Sequence, residues 1–167
     1  MLNLHIYLVG MSGCGKTSLG RNLAHHLNLP FIHMDEQVEK MMGMPISQIK
    51  SMLGESFYHN AQTGVLMALI GEKPCIVSTA SGIVLQKENV QLMQNHGLLI
   101  HISKPLDQIL FEQPSEDRQK SDRADIVREY DHSIGFYRAY ADYTFENDRG
   151  PDFGAEGITK LVESISG

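Results

Sequence analysis

Eight consecutive residues carry the clearest chemistry in this chain: Gly10-Met11-Ser12-Gly13-Cys14-Gly15-Lys16-Thr17 reads G-x-x-x-x-G-K-[ST]. A polyphosphate is held by successive backbone N–H groups, which can approach it only where side chains are missing, hence glycines at 10, 13 and 15. Lys16 in such a loop lies along the β and γ phosphates and neutralises charge during transfer, while Thr17 offers its hydroxyl to Mg²⁺. Ser12, Cys14 and Ser18 fill the remaining positions of the loop and the helical turn after it, with Cys14 read as a small filler rather than a reactive thiol. The expected ligand is therefore a nucleoside triphosphate with magnesium.

Such a loop works only between a strand and a helix, and the flanking residues have those periods. Residues 2–9 are a short, mostly apolar run, interrupted by Asn3 and His5, as a strand buried on both faces requires. From 17 to 29, Leu19, Leu23, Ala24 and Leu27 fall on one helical face, and Pro30 closes the segment. Further on, a strand opens at Phe31 and runs out at Asp35, and helices are expected over 36–42, from 46 to 53 and over 57–70. A compact strand follows at 75–78, then the small-residue loop Thr79-Ala80-Ser81-Gly82. Helix 88–95, stopped by Gly97, strand 98–102 and a helix from Pro105 to about Phe111 continue the alternation. Residues 112–125 are polar and charged with no apolar face, so they read as a loop. Helix 126–140, strand 143–145 and helix 158–165 complete the chain. Strands alternating with helices imply a parallel sheet covered on both faces, a three-layer α/β/α architecture.

Composition bounds the rest. The 167 residues, 42% hydrophobic and 20% charged, suit one globular domain. With 14 Lys and Arg against 20 Asp and Glu, the net charge of −6 repels a phosphate backbone, which argues against nucleic-acid or anionic-membrane partners. Two cysteines, Cys14 and Cys75, build no disulfide framework, so a reducing cytoplasm is expected. No apolar stretch approaches the roughly 20 residues of a membrane span, and the first residues lack the basic start of a signal peptide.

Beyond the loop, the residues resemble the shikimate kinase family. Gly20, Leu23, Ala24, Leu27, Asp35, Glu39 and Gly43 match its G-x-x-L-A-x-x-L segment, the acid after its second strand and the helix that follows. PISQIKSMLGESFYHNA, PCIVSTASGIVL and FYRAYADYTFEND are similar to its later motifs, so the likeness covers nearly the whole chain except the loop after Phe111. It implies a P-loop NTPase fold with a five-stranded parallel sheet, and transfer of the γ-phosphoryl of ATP to a hydroxyl of shikimate or a related hydroxylated metabolite. A nucleotide-binding relative that has lost catalysis is the alternative.

The resemblance also assigns roles residue by residue. Asp35 orients or deprotonates the attacking hydroxyl, and His33 stands where the family has a second acid near Mg²⁺, leaving Thr17 and Ser78 on the metal side. Residues 33–62 form the acceptor region. There His59 occupies an acceptor-binding arginine position, Ser133, beside His132, a second one, and Ala80, Ser81 and Gly82 replace a glycine loop. No arginine occurs between Arg21 and Arg118. His59 and His132 are the weaker cations that acid pH could put in the arginines' place. Residues 112–125 correspond to a lid whose catalytic arginine is Arg118 or Arg123. On the base side, Phe111 replaces an arginine, either stacking on the base or joining the core, and Arg149 and Pro151 match the segment on the base's other side. The implied partner is a small hydroxylated acceptor, the implied state a monomer.

Overall fold

The protein is described by a computed structural model that covers residues 3–112 and 123–167. Strand β1, His5–Val9, enters the phosphate loop and is followed by helix α1, Lys16–Leu27. Then come β2 (Phe31–His33), α2 (Met34–Met42), α3 (Ile46–Leu53), α4 (Glu55–Ala68), β3 (Ile76–Ser78), a short 3₁₀ turn at Ile83–Leu85 and α5 (Lys87–His96). The chain closes with β4 (Gly97–Ser103), α6 (Leu106–Phe111), α7 (Arg123–Tyr140), β5 (Tyr143–Glu146) and α8 (Pro151–Ser166).

Among the described residues the five strands form one sheet in the order β2-β3-β1-β4-β5 with every pairing parallel, as the alternation of elements implied. The central strand shows why. Successive side chains of a strand point to opposite faces, and all five residues of β1 are buried. Ile6 and Leu8 pack with Leu19, Leu23, Ile158 and Val162 of α1 and α8. Tyr7 and Val9 face the other layer, with Val38, Ile49, Val65, Met93 and Tyr137. Both faces are thus filled, and each needs its own helical layer.

His5, the polar exception in β1, is satisfied rather than functional. Its Nε2 lies 2.8 Å from the Leu69 carbonyl oxygen, and its Nδ1 accepts from the Cys75 N–H at 3.3 Å. Burial pushes the neighbouring Cys75 thiol up to about 11, so it stays protonated and inert.

Several boundaries differ from the sequence expectations: α7 begins at Arg123, inside the stretch read as a loop, and α4 runs over Glu55–Ala68 rather than 57–70. Three further differences have a visible physical cause. Helix α2 begins at Met34, capped by His33 Nδ1 accepting from the Glu36 N–H at 3.3 Å, so Asp35 lies in a first helical turn rather than at a strand end. Gly97 does not merely stop α5: it is the first residue of β4 and pairs with His5, and a Cβ there would meet the Tyr7 ring and the His5 carbonyl. Helix α8 starts at Pro151, not at 158. Its first two turns carry Gly154 and Gly157, poor helix formers that hide the period. They are there because α8 lies against Leu19 and Phe145 too closely to admit a side chain: a Cβ on Gly154 would sit 2.5 Å from Leu19 Cδ1, and one on Gly157 2.7 Å from Phe145 Cε2.

Among the described residues no helix is long and apolar enough to cross a membrane.

Candidate active site

A parallel sheet exposes its strand carboxyl ends on one side, and ligands bind in the crevice there. In this chain a cleft of about 380 Å³ opens at that edge, and all five strands lead into it. After β1 come Ser12, Gly13, Gly15, Lys16, Thr17 and Ser18; after β2, His33 and Asp35. The end of β3 supplies Ser78, Thr79, Ala80 and Ser81; the segment after β4 supplies Lys104, Gln108 and Glu112; the turn after β5 supplies Asn147, Asp148, Gly150 and Pro151.

The phosphate loop has the backbone that a polyanion cradle needs. Gly13 and Gly15 adopt φ of 82° and 92°, in the left-handed region where an L side chain is strained. At Gly15 a second restriction applies, because a Cβ would collide with Asn147 Nδ2. That amide donates to the Cys14 carbonyl at 2.9 Å, tying the end of β5 to the loop. Lys16 is nearly buried, and its Nζ donates to the carbonyls of Gly10 and Met11 at 2.7 and 2.8 Å, folding the ammonium back over its own loop. Cys14 is buried with its Sγ 3.8 Å from the same ammonium, so its place is inside the loop and not on its surface.

Two hydroxyls meet beside the loop. Thr17 Oγ1, at the start of α1, lies 3.3 Å from Ser78 Oγ, the last residue of β3. Hard oxygen donors this close, next to a phosphate cradle, suit Mg²⁺, which keeps most of its water and takes few protein ligands. Thr79 acts on the sheet instead. Its N–H and its Oγ1 both donate to the Leu8 carbonyl, at 3.1 and 2.8 Å, locking β3 onto β1. The glycine geometry, the free space and the Thr17–Ser78 pair fit a magnesium nucleotide.

Asp35 projects into the cleft from the first turn of α2. Its Oδ1 accepts a 2.5 Å hydrogen bond from Tyr58 Oη on α4. Burial first, then the Asp35 charge and this hydrogen bond, push the Tyr58 phenol far above its ordinary value of 10. Sequence reasoning misses Tyr58, since within α4 it reads only as one apolar-face residue, and its partner is 23 positions away. Lys104 is missed too: its Nζ lies 2.6 Å from Glu112 Oε1 and Oε2 at the rim of the cleft. The available signal is position, immediately after a central strand's carboxyl end.

Other expected residues lie elsewhere. His59 does not line the cleft; its Nε2 is 3.9 Å from Glu55 Oε2, one turn back on the same helix. Ser133 is buried in α7 away from the lining, because the helix turns that face into the core beside Tyr137. Gly82 sits behind Ser81, at φ 81°, with its N–H donating to Tyr137 Oη at 3.3 Å. Phe111 is neither core nor lining: it is 75% exposed, with the Arg123 guanidinium 5.1 Å above its ring. The short α6 ends there, so its last side chain leaves the protein surface. Arg149 is exposed and stacks on Phe153 at 5.0 Å, while Pro151 reaches the cleft. Gly10 lies beneath the loop, its position for a Cβ taken by the Ile102 carbonyl and Cys14 Sγ. Arg118 and most of 112–125 fall outside the described residues.

One buried group near the loop titrates unusually. His101 on β4 stacks on Tyr137, with ring centroids 5.0 Å apart and planes 12° apart. Burial above all, helped by the positive charges of Arg138 and Lys16, pulls its imidazole down to about 4, so it is neutral at physiological pH.

A five-stranded parallel sheet in this order, with a glycine-rich phosphate loop after its central strand and a carboxylate facing that loop, defines a P-loop phosphotransferase of the small-molecule kinase type. The shikimate kinase family model matches residues 12–166. A shikimate kinase of Clostridium beijerinckii is 30% identical over 146 residues, covering 86% of each chain, and one of Neisseria gonorrhoeae is 31% identical over 150 residues, covering 87% of this chain and 88% of that one. Among solved structures, a shikimate kinase from Acinetobacter baumannii in complex with shikimate superimposes with a TM-score of 0.87 at 27% identity, over 97% of this chain and 94% of that one. The Aquifex aeolicus shikimate kinase gives 0.84, also at 27% identity, over 98% of both chains. The chain belongs to the shikimate kinase family, and it is a kinase that transfers phosphate to a hydroxyl group.

Proposed function

We propose that this chain transfers the γ-phosphoryl of ATP to a hydroxyl of shikimate or a closely related polyhydroxylated metabolite, with Asp35 receiving that hydroxyl and Lys16 holding the phosphate being transferred. The observation that carries this reading is the convergence, in one cleft, of the phosphate loop, the Thr17–Ser78 hydroxyl pair and the Asp35 carboxylate. Bound ATP with Mg²⁺ supplies the phosphoryl group and the charge neutralisation that its transfer needs.

The chain's own part is positioning. Lys16 leaves the Gly10 and Met11 carbonyls for phosphate oxygens, a more strongly charged acceptor. Loop N–H groups and the start of α1 hold the remaining oxygens. Thr17 and Ser78 would hold Mg²⁺ through their hydroxyls. Asp35 accepts the proton of the acceptor hydroxyl and aligns its oxygen for in-line attack. Of the acceptor region 33–62, His33 and Asp35 line the cleft, together with Ala80 and Ser81; Pro151 and Asn147 belong to the nucleotide side. The proposed state is a monomer, and the two buried unpaired cysteines, Cys14 and Cys75, suit the cytoplasm.

A coupled ADP-release assay tests this. Shikimate is set against quinate, gluconate and an uncharged cyclitol, each with MgATP. Turnover on shikimate or a near relative, abolished in Lys16→Ala, is the expected result. ADP release that persists unchanged in Lys16→Ala refutes the assignment.

A further inference from the structure

Among the described residues Tyr58 meets Asp35 by a short hydrogen bond, and no step of the transfer itself uses it. Three helices converge on its ring. α4 carries Tyr58 itself, 5% exposed. From α3, the Lys50 ammonium lies 4.7 Å over the ring centroid and 4.0 Å from Glu55 Oε1. From α2, Asp35 Oδ1 receives the phenol proton at 2.5 Å. Gln62, one turn further along α4, is buried on the same side of the helix.

We propose that Tyr58 is a positioning residue for phosphoryl transfer: it clamps Asp35 Oδ1 so that Oδ2 is presented to the acceptor hydroxyl in a fixed orientation. This rests on the reading of Asp35 as the group that receives that hydroxyl. A carboxylate in a first helical turn can rotate about two bonds, and its productive orientation is one of several. A permanent donor on one oxygen removes that freedom before the acceptor arrives, which is how a hydrogen bond remote from the reacting atoms raises kcat. The phenol is suited to this, since burial and the adjacent negative charge keep it protonated at any pH the enzyme meets. Its own ring cannot drift, being packed in the core and covered by Lys50.

The test is a double-mutant cycle with Tyr58→Phe, Asp35→Asn and the pair, assayed by ADP release with shikimate and MgATP. Tyr58→Phe deletes one oxygen from a filled site. It is expected to keep the fold and to hold the KM for ATP within about twofold while lowering kcat roughly tenfold, the effect of losing one hydrogen bond to a charged group. In the Asp35→Asn background the same change should alter kcat by less than about twofold, because the carboxylate it orients is gone. A kcat unchanged in Tyr58→Phe, or a full tenfold loss in both backgrounds, overturns the proposal. Turnover unaffected by Asp35→Asn overturns the reading of Asp35, and this inference with it. A crystal structure of Tyr58→Phe gives an answer independent of any acceptor: Asp35 should leave its wild-type orientation, and an unmoved carboxylate refutes the clamp.

Discussion

Replacing Gly15 by alanine probes the phosphate loop and its support together. At φ 92° an alanine is held in the left-handed region, which costs about 1–2 kcal/mol. The new methyl also occupies the place of Asn147 Nδ2, so the amide must swing away and its 2.9 Å bond to the Cys14 carbonyl breaks. That loss adds about 1 kcal/mol. The sum, about 2–3 kcal/mol, corresponds to a Tm lower by roughly 5–10 °C in a chain of this size. Thermal or urea unfolding with and without MgATP is the assay, since the nucleotide's stabilising effect reports its affinity by linkage. MgATP should stabilise Gly15→Ala far less than the wild type, because the N–H groups around residue 15 no longer converge. The combination with Asn147→Ala separates the two causes. With the amide already removed, Gly15→Ala should cost only the backbone share, leaving a coupling of about 1 kcal/mol. Strictly additive losses, or a Gly15→Ala protein with wild-type Tm and nucleotide response, would show that Asn147 does not support the loop.

Lys16→Ala should lower ADP release by about a thousandfold, as removal of a preorganised charge from a transferring phosphoryl group does, in the same coupled assay. His101 makes stability depend on acid: its ordinary value of 6.5 falls to about 4 on folding, so the unfolded chain binds a proton that the native one refuses. Stability is complete above pH 6.5 and declines as pH falls towards 4, by on the order of 2–3 kcal/mol. His101→Phe, which retains the stack on Tyr137, should flatten that decline in urea unfolding followed from about pH 7 to 4. Gly154→Ala should lower Tm even though alanine favours helix by about 1 kcal/mol, because its Cβ meets Leu19 Cδ1 at 2.5 Å and overpacking costs about 1–3 kcal/mol. An unchanged or higher Tm would mean that α8 can shift from α1 freely.

Much of the fold is legible in the sequence because its signals are local. The short, mostly apolar run of β1, the leucine stripe of α1 and the glycine and proline stops each act within a few residues. What stays hidden depends on contact between distant segments. The beginning of α8 is invisible to helix propensity because Gly154 and Gly157 answer instead to Leu19 and Phe145 across the layer. Phe111 reads as a core or base-stacking residue, and its exposure follows from where α6 stops. His59 and His132 are placed by motif as weak cations for an acceptor; in the fold His59 turns to Glu55 and His132 packs against the Phe136 ring.

The sequence by itself determined that a phosphate loop would sit between a buried strand and a helix, because spacing of glycines, lysine and threonine is a property of contiguous chain. It also carried Asp35 and Ser78 as candidates, through the resemblance of their surroundings. Only the tertiary structure decided what those residues face. Parallel strands are joined by long crossovers, so the groups that meet at their carboxyl ends lie far apart in the chain: Thr17 beside Ser78, Asn147 beneath Gly15, Tyr58 against Asp35. Such pairings are fixed by strand order and helix packing, and no local pattern encodes them.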